Sequence, residues 1–230
     1  MSGALAKQAV RRLLAAPEAR FDLDAALAEL RALPAQPVIR ALLAGLSRPE
    51  AGQRWRAVAL LGPLVAELAK TAPEAGREVV RRLRWSLNEE SGAMGWGAAE
   101  AFGEILHHSP LLAGEFAGLL ASYLVPCACQ LDHPALLAGA VWALGRLAEA
   151  DPARAASCGA AAHLCDLLAH PDPEVVGRAA WTLGLLDGGP CPERLAALSA
   201  DVRTASFPCQ GRLACASLAE LSAAARSRCV

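Results

Sequence analysis

Apolar side chains recur along the chain three or four positions apart, in blocks separated by proline or glycine, which is the spacing of helices that bury one face. Four blocks share a register. They read R-W-R-A-V-A-L-L-G-P-L ending at Leu64, G-W-G-A-A-E-A-F-G-E-I ending at Ile105, L-A-G-A-V-W-A-L-G-R-L ending at Leu147 and V-G-R-A-A-W-T-L-G-L-L ending at Leu186. Their anchor glycines, Gly62, Gly103, Gly145 and Gly184, are 41, 42 and 39 residues apart. An alanine stands five positions before each anchor (Ala57, Ala98, Ala140, Ala179), and a large apolar residue one before (Leu61, Phe102, Leu144, Leu183). A fixed small-large pattern at a period near 40 residues predicts stacked helical repeats.

The segments between these blocks supply the second helix of each pair. Ala75 to Leu87, Leu111 to Leu124 and Ser157 to Leu168 have helical apolar spacing. Pro134, Pro171 and Pro173 stand at or just before helix starts, where a missing N–H costs nothing. Upstream, Leu5 to Ala15 and Asp22 to Leu33 predict two more helices, and Pro37 opens a third. The tail changes character. Val202–Phe207 and Arg212–Ala216 read as short extended runs turning at Gly211, and Ser217 with Glu220 forms a capping box that predicts a helix from Leu218. The competing reading of the tail is a degenerate repeat helix from Ala214 to Leu221. The expected organisation is an N-terminal helical cap over residues 1–47, repeats over 48–190 and a C-terminal cap over 191–230.

Composition supports an all-helical chain, with 53 alanines and 38 leucines against 4% aromatics. Twenty of the 22 basic residues are Arg, yet 23 acidic residues bring the net charge to −1. Neither half carries a basic stripe, so nucleic acid is not an expected partner. The longest charge-free run, Phe116 to Leu131, is 16 residues and holds Pro126, too short for a membrane span. The opening residues place Lys7, Arg11 and Arg12 where an export signal would be uncharged. A cytoplasmic, membrane-free protein is the expectation.

The string D-P-E-V-V-G-R-A-A-W-T-L-G-L-L, Asp172 to Leu186, resembles the second helix of a HEAT repeat of the bacterial phycobilisome-lyase type. The stretch from Trp85 to Ile105 further resembles an uncharacterised bacterial family of small HEAT-like proteins. The resemblance implies an all-α, right-handed α-solenoid of HEAT-like helix pairs, here with a small β-hairpin near the C-terminus, and a binding role without a reaction. Arg56 and Arg178 keep the basic residue of the repeat pattern, whereas Gly97 and Gly139 replace it.

Candidate chemistry is sparse. The eight cysteines lie between Cys127 and Cys229 with no C-x-x-C pair, so neither a metal site nor a disulfide framework is expected. Cys158 and Cys165 share a face of one expected helix, next to His163. None of the five histidines is followed by Glu, and no nucleophile, base or cofactor set emerges from spacing. No enzymatic activity, cofactor or metal is therefore predicted.

Trp55 and Trp96 stand seven before their anchors, and Trp142 and Trp181 three before, so each repeat presents an indole on one side of its helix. Two readings stay open: an indole packed over a neighbouring repeat's glycine, or an exposed aromatic ladder. The loop N-E-E-S-G-A-M-G-W-G, Asn88 to Gly97, follows an arginine-rich helix. Glu89 and Glu90 oppose the macrodipole at that helix end. Between Glu104 and Arg146 only Glu115 and Asp132 are charged, so the central repeat is either covered all round or exposes a large apolar area. These features predict a partner surface formed by Trp85, Asn88, Glu89, Glu90, Trp96 and Trp142. The expected function is a non-enzymatic protein–protein interaction scaffold or adaptor, its groove taking a protein segment or a second copy. The alternative is a maturation factor or lyase-like helper for cofactor or client-protein assembly.

Overall fold

The computed structural model describes residues 2–88, 95–126, 131–186, 191–209 and 212–227. They form helices and one two-stranded antiparallel sheet, and the chain divides into two compact units. One is Met1–Leu112 with Pro208–Leu213, and the other is Ala113–Phe207 with Ala214–Val230.

In the first unit, α1 (Ser2–Leu14), α2 (Leu23–Arg31) and α3 (Ala35–Gly45) precede α4 (Ala51–Thr71), α5 (Pro73–Leu87) and α6 (Ala98–His108), and α7 (Pro110–Ser122) begins. Asp22 caps α2 by accepting from the Ala25 N–H at 2.9 Å, satisfying an end donor. α4 packs against α3, α5 and α6. Its anchor is a close-approach site, since a Cβ on Gly62 would lie 2.6 Å from Glu104 Cγ and 2.8 Å from its carbonyl oxygen. Arg56 keeps its register for a local reason. Its buried guanidinium lies over the Phe21 ring and donates to the Leu14 and Ala16 carbonyls, acceptors that the end of α1 leaves without helical partners. Gly97 departs from that register because it is the residue before α6 and sits at φ +71°, a left-handed conformation that glycine adopts without strain.

The second unit holds the rest of α7, then α8 (Pro134–Ala150), α9 (Pro152–Ser157), α10 (Ala161–Leu167), α11 (Pro173–Leu185), α12 (Pro192–Ala197), strands β1 (Thr204–Cys209) and β2 (Arg212–Ser217), and α13 (Leu218–Ser227). α8 is buried on every side from residue 137 to 145, so the scarcity of charge there reflects cover rather than an apolar surface. α11 stacks on α8. Trp181 and Thr182 press onto Gly145, where a Cβ would fall 2.1 Å from Trp181 Cζ3. The packing reading of the indoles therefore holds for Trp181, while Gly62 receives Glu104 and His108 instead. Gly184 receives Ala225 of α13, whose Cα would lie 2.7 Å from an added Cβ. The last helix thus packs on α11 as α11 packs on α8.

The tail is the hairpin and short helix, not a repeat helix. The Glu220 N–H donates to Ser217 Oγ at 3.2 Å and the Ser217 N–H donates to Glu220 Oε2 at 2.8 Å, both halves of the capping box. Arg178 and Glu174 tie β1 down through the Ser206 carbonyl and N–H.

The expected helix from Ser157 to Leu168 starts late. The chain breaks at Gly159, with φ +74°, so that α9 ends at Ser157 and α10 begins at Ala161. Cys158 ends the first, so it does not share a helix with Cys165. A second correction follows. Cys165 of α10 is disulfide-bonded to Cys191, just before α12, with their Cα atoms 6.0 Å apart. The expectation of no disulfide framework missed this bridge because the pairing spans 26 residues and depends on the fold bringing α10 to the start of α12. Arg194 holds the same corner, donating to the Cys165 carbonyl and the Asp166 carboxylate.

Candidate interaction surface

α5 is built to show one face. Gly76, Val79, Val80, Leu83 and Leu87 recur at helical spacing and are buried, which turns the arginines outward. The outer face divides into two halves. Toward the N-terminus, Arg81 pairs with Glu74 at 2.7 Å and Glu78 at 3.2 Å, and Arg77 reaches Glu74 at 3.3 Å. The hydrogen bond from Arg81, helped by Arg77, holds the Glu74 carboxyl below its ordinary range. Toward the C-terminus the pairing stops: Arg82 and Arg84 make no ion pair among the described residues. Trp85 follows them with 73% of its surface exposed. Arg82, three residues earlier, lies on the same face as that indole.

The return of the chain brings Trp96 to this end of α5. The Asn88 N–H closes the helix by donating to the Arg84 and Trp85 carbonyls at 3.2 and 3.1 Å. Gly95 then lies against Ser86, where any Cβ would sit 2.5 Å from the Ser86 carbonyl oxygen. The residue after Trp85 thus touches the residue before Trp96. Trp96 is half-buried, with the Arg54 guanidinium 5.8 Å from its ring centre. Arg54 is held in turn by the Arg48 and Pro49 carbonyls at 2.8 and 2.7 Å.

The remaining candidates lie elsewhere. Trp142 is 3% exposed in the other unit, with Arg146 5.8 Å from its ring, so its indole is packing. Glu89 and Glu90 lie outside the described residues, as do Cys127 and Cys129. Among the described residues no cluster of His, Cys, Asp and Glu could hold a metal, and no helix is long and apolar enough to cross a membrane. Among the described residues Cys158 and Cys215 stand outside any disulfide. Cys215 is exposed, and burial raises the Cys158 thiol pKa against the opposing pull of Arg154.

Comparison with known proteins places the fold. Residues 153–186, covering α9, α10 and α11, match the Armadillo/beta-catenin-like repeat. The three-helix division of this segment at Gly159 accords with that match, armadillo repeats being built of two or three helices. Solved structures similar along the whole chain include a designed armadillo repeat protein in complex with the peptide (KR)4. That structure is 16% identical at a TM-score of 0.54 and covers 97% of this chain and 99% of its own. Another is a computationally designed armadillo repeat protein for modular peptide recognition, 14% identical at a TM-score of 0.57, covering 98% of this chain and 92% of its own. An engineered protein, 20% identical at a TM-score of 0.54, covers 97% of this chain and 98% of its own. No curated protein matches the chain by sequence. The fold is that of the armadillo and HEAT-like helical repeats, with a C-terminal hairpin.

Proposed function

We propose that the chain is a non-enzymatic protein-binding scaffold whose partner surface includes the C-terminal end of α5 and the start of α6. The observation that carries this reading is Trp85, 73% exposed beside two arginines that no described carboxylate neutralises. Exposed indoles and guanidinium groups supply much of the binding energy at protein interfaces. Support also comes from the fold, since helical repeats offer extended faces to protein segments. The designed relative bound to (KR)4 takes a basic peptide. The arginines around Trp85 suit the opposite charge. Asn88 and Trp96 complete the surface through the contact of Gly95 with Ser86.

Affinity purification with the wild-type chain and with Trp85→Ala tests the reading. The expected result is a partner retained by the wild type and lost with Trp85→Ala at unchanged helical content. Truncation of a central indole costs about 2 kcal/mol or more of binding energy. Charge reversal of Glu89 and Glu90 asks whether the adjoining loop takes part. Equal retention by wild type and Trp85→Ala would show that the α5 surface has no recognition role.

A further inference from the structure

A cleft of about 310 Å³ opens between α1 and α3, within the first unit. Its cause is local. At one end Gly45 lets Leu14 come so close that an added Cβ would lie 2.7 Å from Leu14 Cδ1, while the small residues of α3, Ala44 among them, leave the rest unfilled. Val10 and Leu14, almost wholly buried, close its floor, and Ala41 and Ala44 of α3 supply the apolar area that stays open. Its charged lining is entirely cationic: Lys7 and Arg11 on the α1 side, Arg40 and Arg48 on the α3 side.

The isolation of these charges is what points to a ligand. None of the four side chains makes an ion pair or hydrogen bond among the described residues. The basic residues nearby that face elsewhere are satisfied, Arg12 by Glu29 of α2 and Arg31 by Glu67 of α4. Lys7 and Arg11 are also four apart on α1, a like-charge pair that disfavours the helix. On α1 and α3 the unpaired charge therefore gathers at the rim of one cleft.

The arrangement discriminates between anions. A bilayer surface cannot reach a floor recessed between two helices, and nucleic-acid phosphates gain nothing from one that is apolar. A single small carboxylate engages one or two cations, not a set divided between both walls. An amphipathic helix matches the whole arrangement, with its apolar stripe on the floor and acidic residues on both flanks. The wall from Gly3 to Leu14 runs roughly 16 Å, about three helical turns. We propose that the cleft between α1 and α3 seats an acidic amphipathic helix of a partner protein. This rests on the reading of the chain as a protein-binding scaffold, at residues other than those of α5.

The probe is a fluorescein-labelled synthetic peptide of about 14 residues, long enough to run the cleft, with leucines on one helical stripe and glutamates on both flanks. Fluorescence anisotropy on the full chain reads its binding. The expected result is saturable binding that weakens with salt and falls about tenfold or more in the charge-reversed double variant Arg11→Glu, Arg40→Glu. Both positions are exposed, so circular dichroism should show unchanged helicity. Ala44→Trp, which fills the cleft without altering charge, should weaken binding as well, and Trp85→Ala should leave it unchanged. Unchanged affinity in the double variant overturns the proposal, as does equal binding of a peptide with lysines in place of the glutamates. Displacement by laurate or by phosphatidylserine vesicles overturns it in favour of a lipid anion. Loss of peptide binding in Trp85→Ala alone moves the site to α5 and leaves the scaffold reading standing. A chain that binds neither this peptide nor the partner sought through Trp85 overturns both.

Discussion

Replacing Gly145 with alanine tests the stacking of α11 on α8, because two opposed effects of known sign meet at one atom. Alanine in a helix interior is favoured over glycine by about 0.5–1 kcal/mol, through the backbone entropy that glycine loses. Against this, the new Cβ would lie 2.1 Å from Trp181 Cζ3 and 2.7 Å from both Trp181 Cε3 and Thr182 Oγ1. The indole has little freedom to retreat. It is half-buried, with the Phe207 ring edge-on to it at 5.7 Å between centres. Thr182 is wholly buried and donates to the Val141 carbonyl at 3.1 Å, a bond that any shift of α11 stretches. Overpacking of this kind costs about 1–3 kcal/mol, and a strained buried hydrogen bond adds about 1 kcal/mol. The steric effect wins, for a net destabilisation of about 2 kcal/mol.

Gly118 is the internal control. It is exposed on α7 with nothing within 4 Å of an added Cβ, so Gly118→Ala should stabilise by up to about 1 kcal/mol. Urea unfolding followed by circular dichroism and tryptophan fluorescence measures both. Thermal midpoints should move in opposite directions, by about 2–4 °C per kcal/mol for a chain of this size. Introducing Trp181→Leu alongside Gly145→Ala should recover part of the loss, which a double-mutant cycle reads as coupling. If Gly145→Ala stabilises as Gly118→Ala does, or the cycle shows no coupling, the indole does not press on that glycine and the stacking argument fails.

Ser217→Ala removes one half of the capping box and should destabilise α13 by about 1 kcal/mol in chemical denaturation. The Ser217 backbone N–H and hydroxyl hold the Glu220 carboxyl below its ordinary range. This contribution is present above the unfolded-state carboxylate pKa and is lost as pH falls through the depressed folded value, so the gap between wild type and Ser217→Ala should narrow on acidification. Opening the Cys165–Cys191 bridge, with reductant or by Cys165→Ala with Cys191→Ala, should lower stability by about 3.5 kcal/mol on chain entropy for its 26-residue separation. Equal midpoints with and without reductant would contradict this. Trp85→Ala should change stability by less than about 0.5 kcal/mol, as expected of a side chain 73% exposed, and a larger loss would mean that the indole is part of the fold.

Much of the architecture was legible in the chain because it is local and repeated. All four anchor glycines lie on the helices their register predicts, in α4, α6, α8 and α11. A 3.6-residue period and a fixed small-large pattern are properties of consecutive residues. The same holds for the capping box, whose partners are three residues apart, and for the hairpin, whose strands are sequence neighbours. Sequence fell short at Gly159, where a single left-handed residue separates α9 from α10 and delays the start of the expected helix to Ala161.

What the tertiary structure alone decided is which faces meet. The four equivalent-looking indoles met different fates. Trp55 and Trp142 are buried, Trp96 lies beneath Arg54 and Trp181 fills the space over Gly145, whereas Trp85, outside the register, is the exposed one. The pairing of Cys165 with Cys191 and the gathering of Lys7, Arg11, Arg40 and Arg48 around one cleft were invisible for a common reason. Each element's periodicity records that it has a buried side, but burial is non-directional and says nothing of which neighbour covers it. A charge on α1 and a charge on α3 become one rim only once the packing of those two helices has fixed the distance between them.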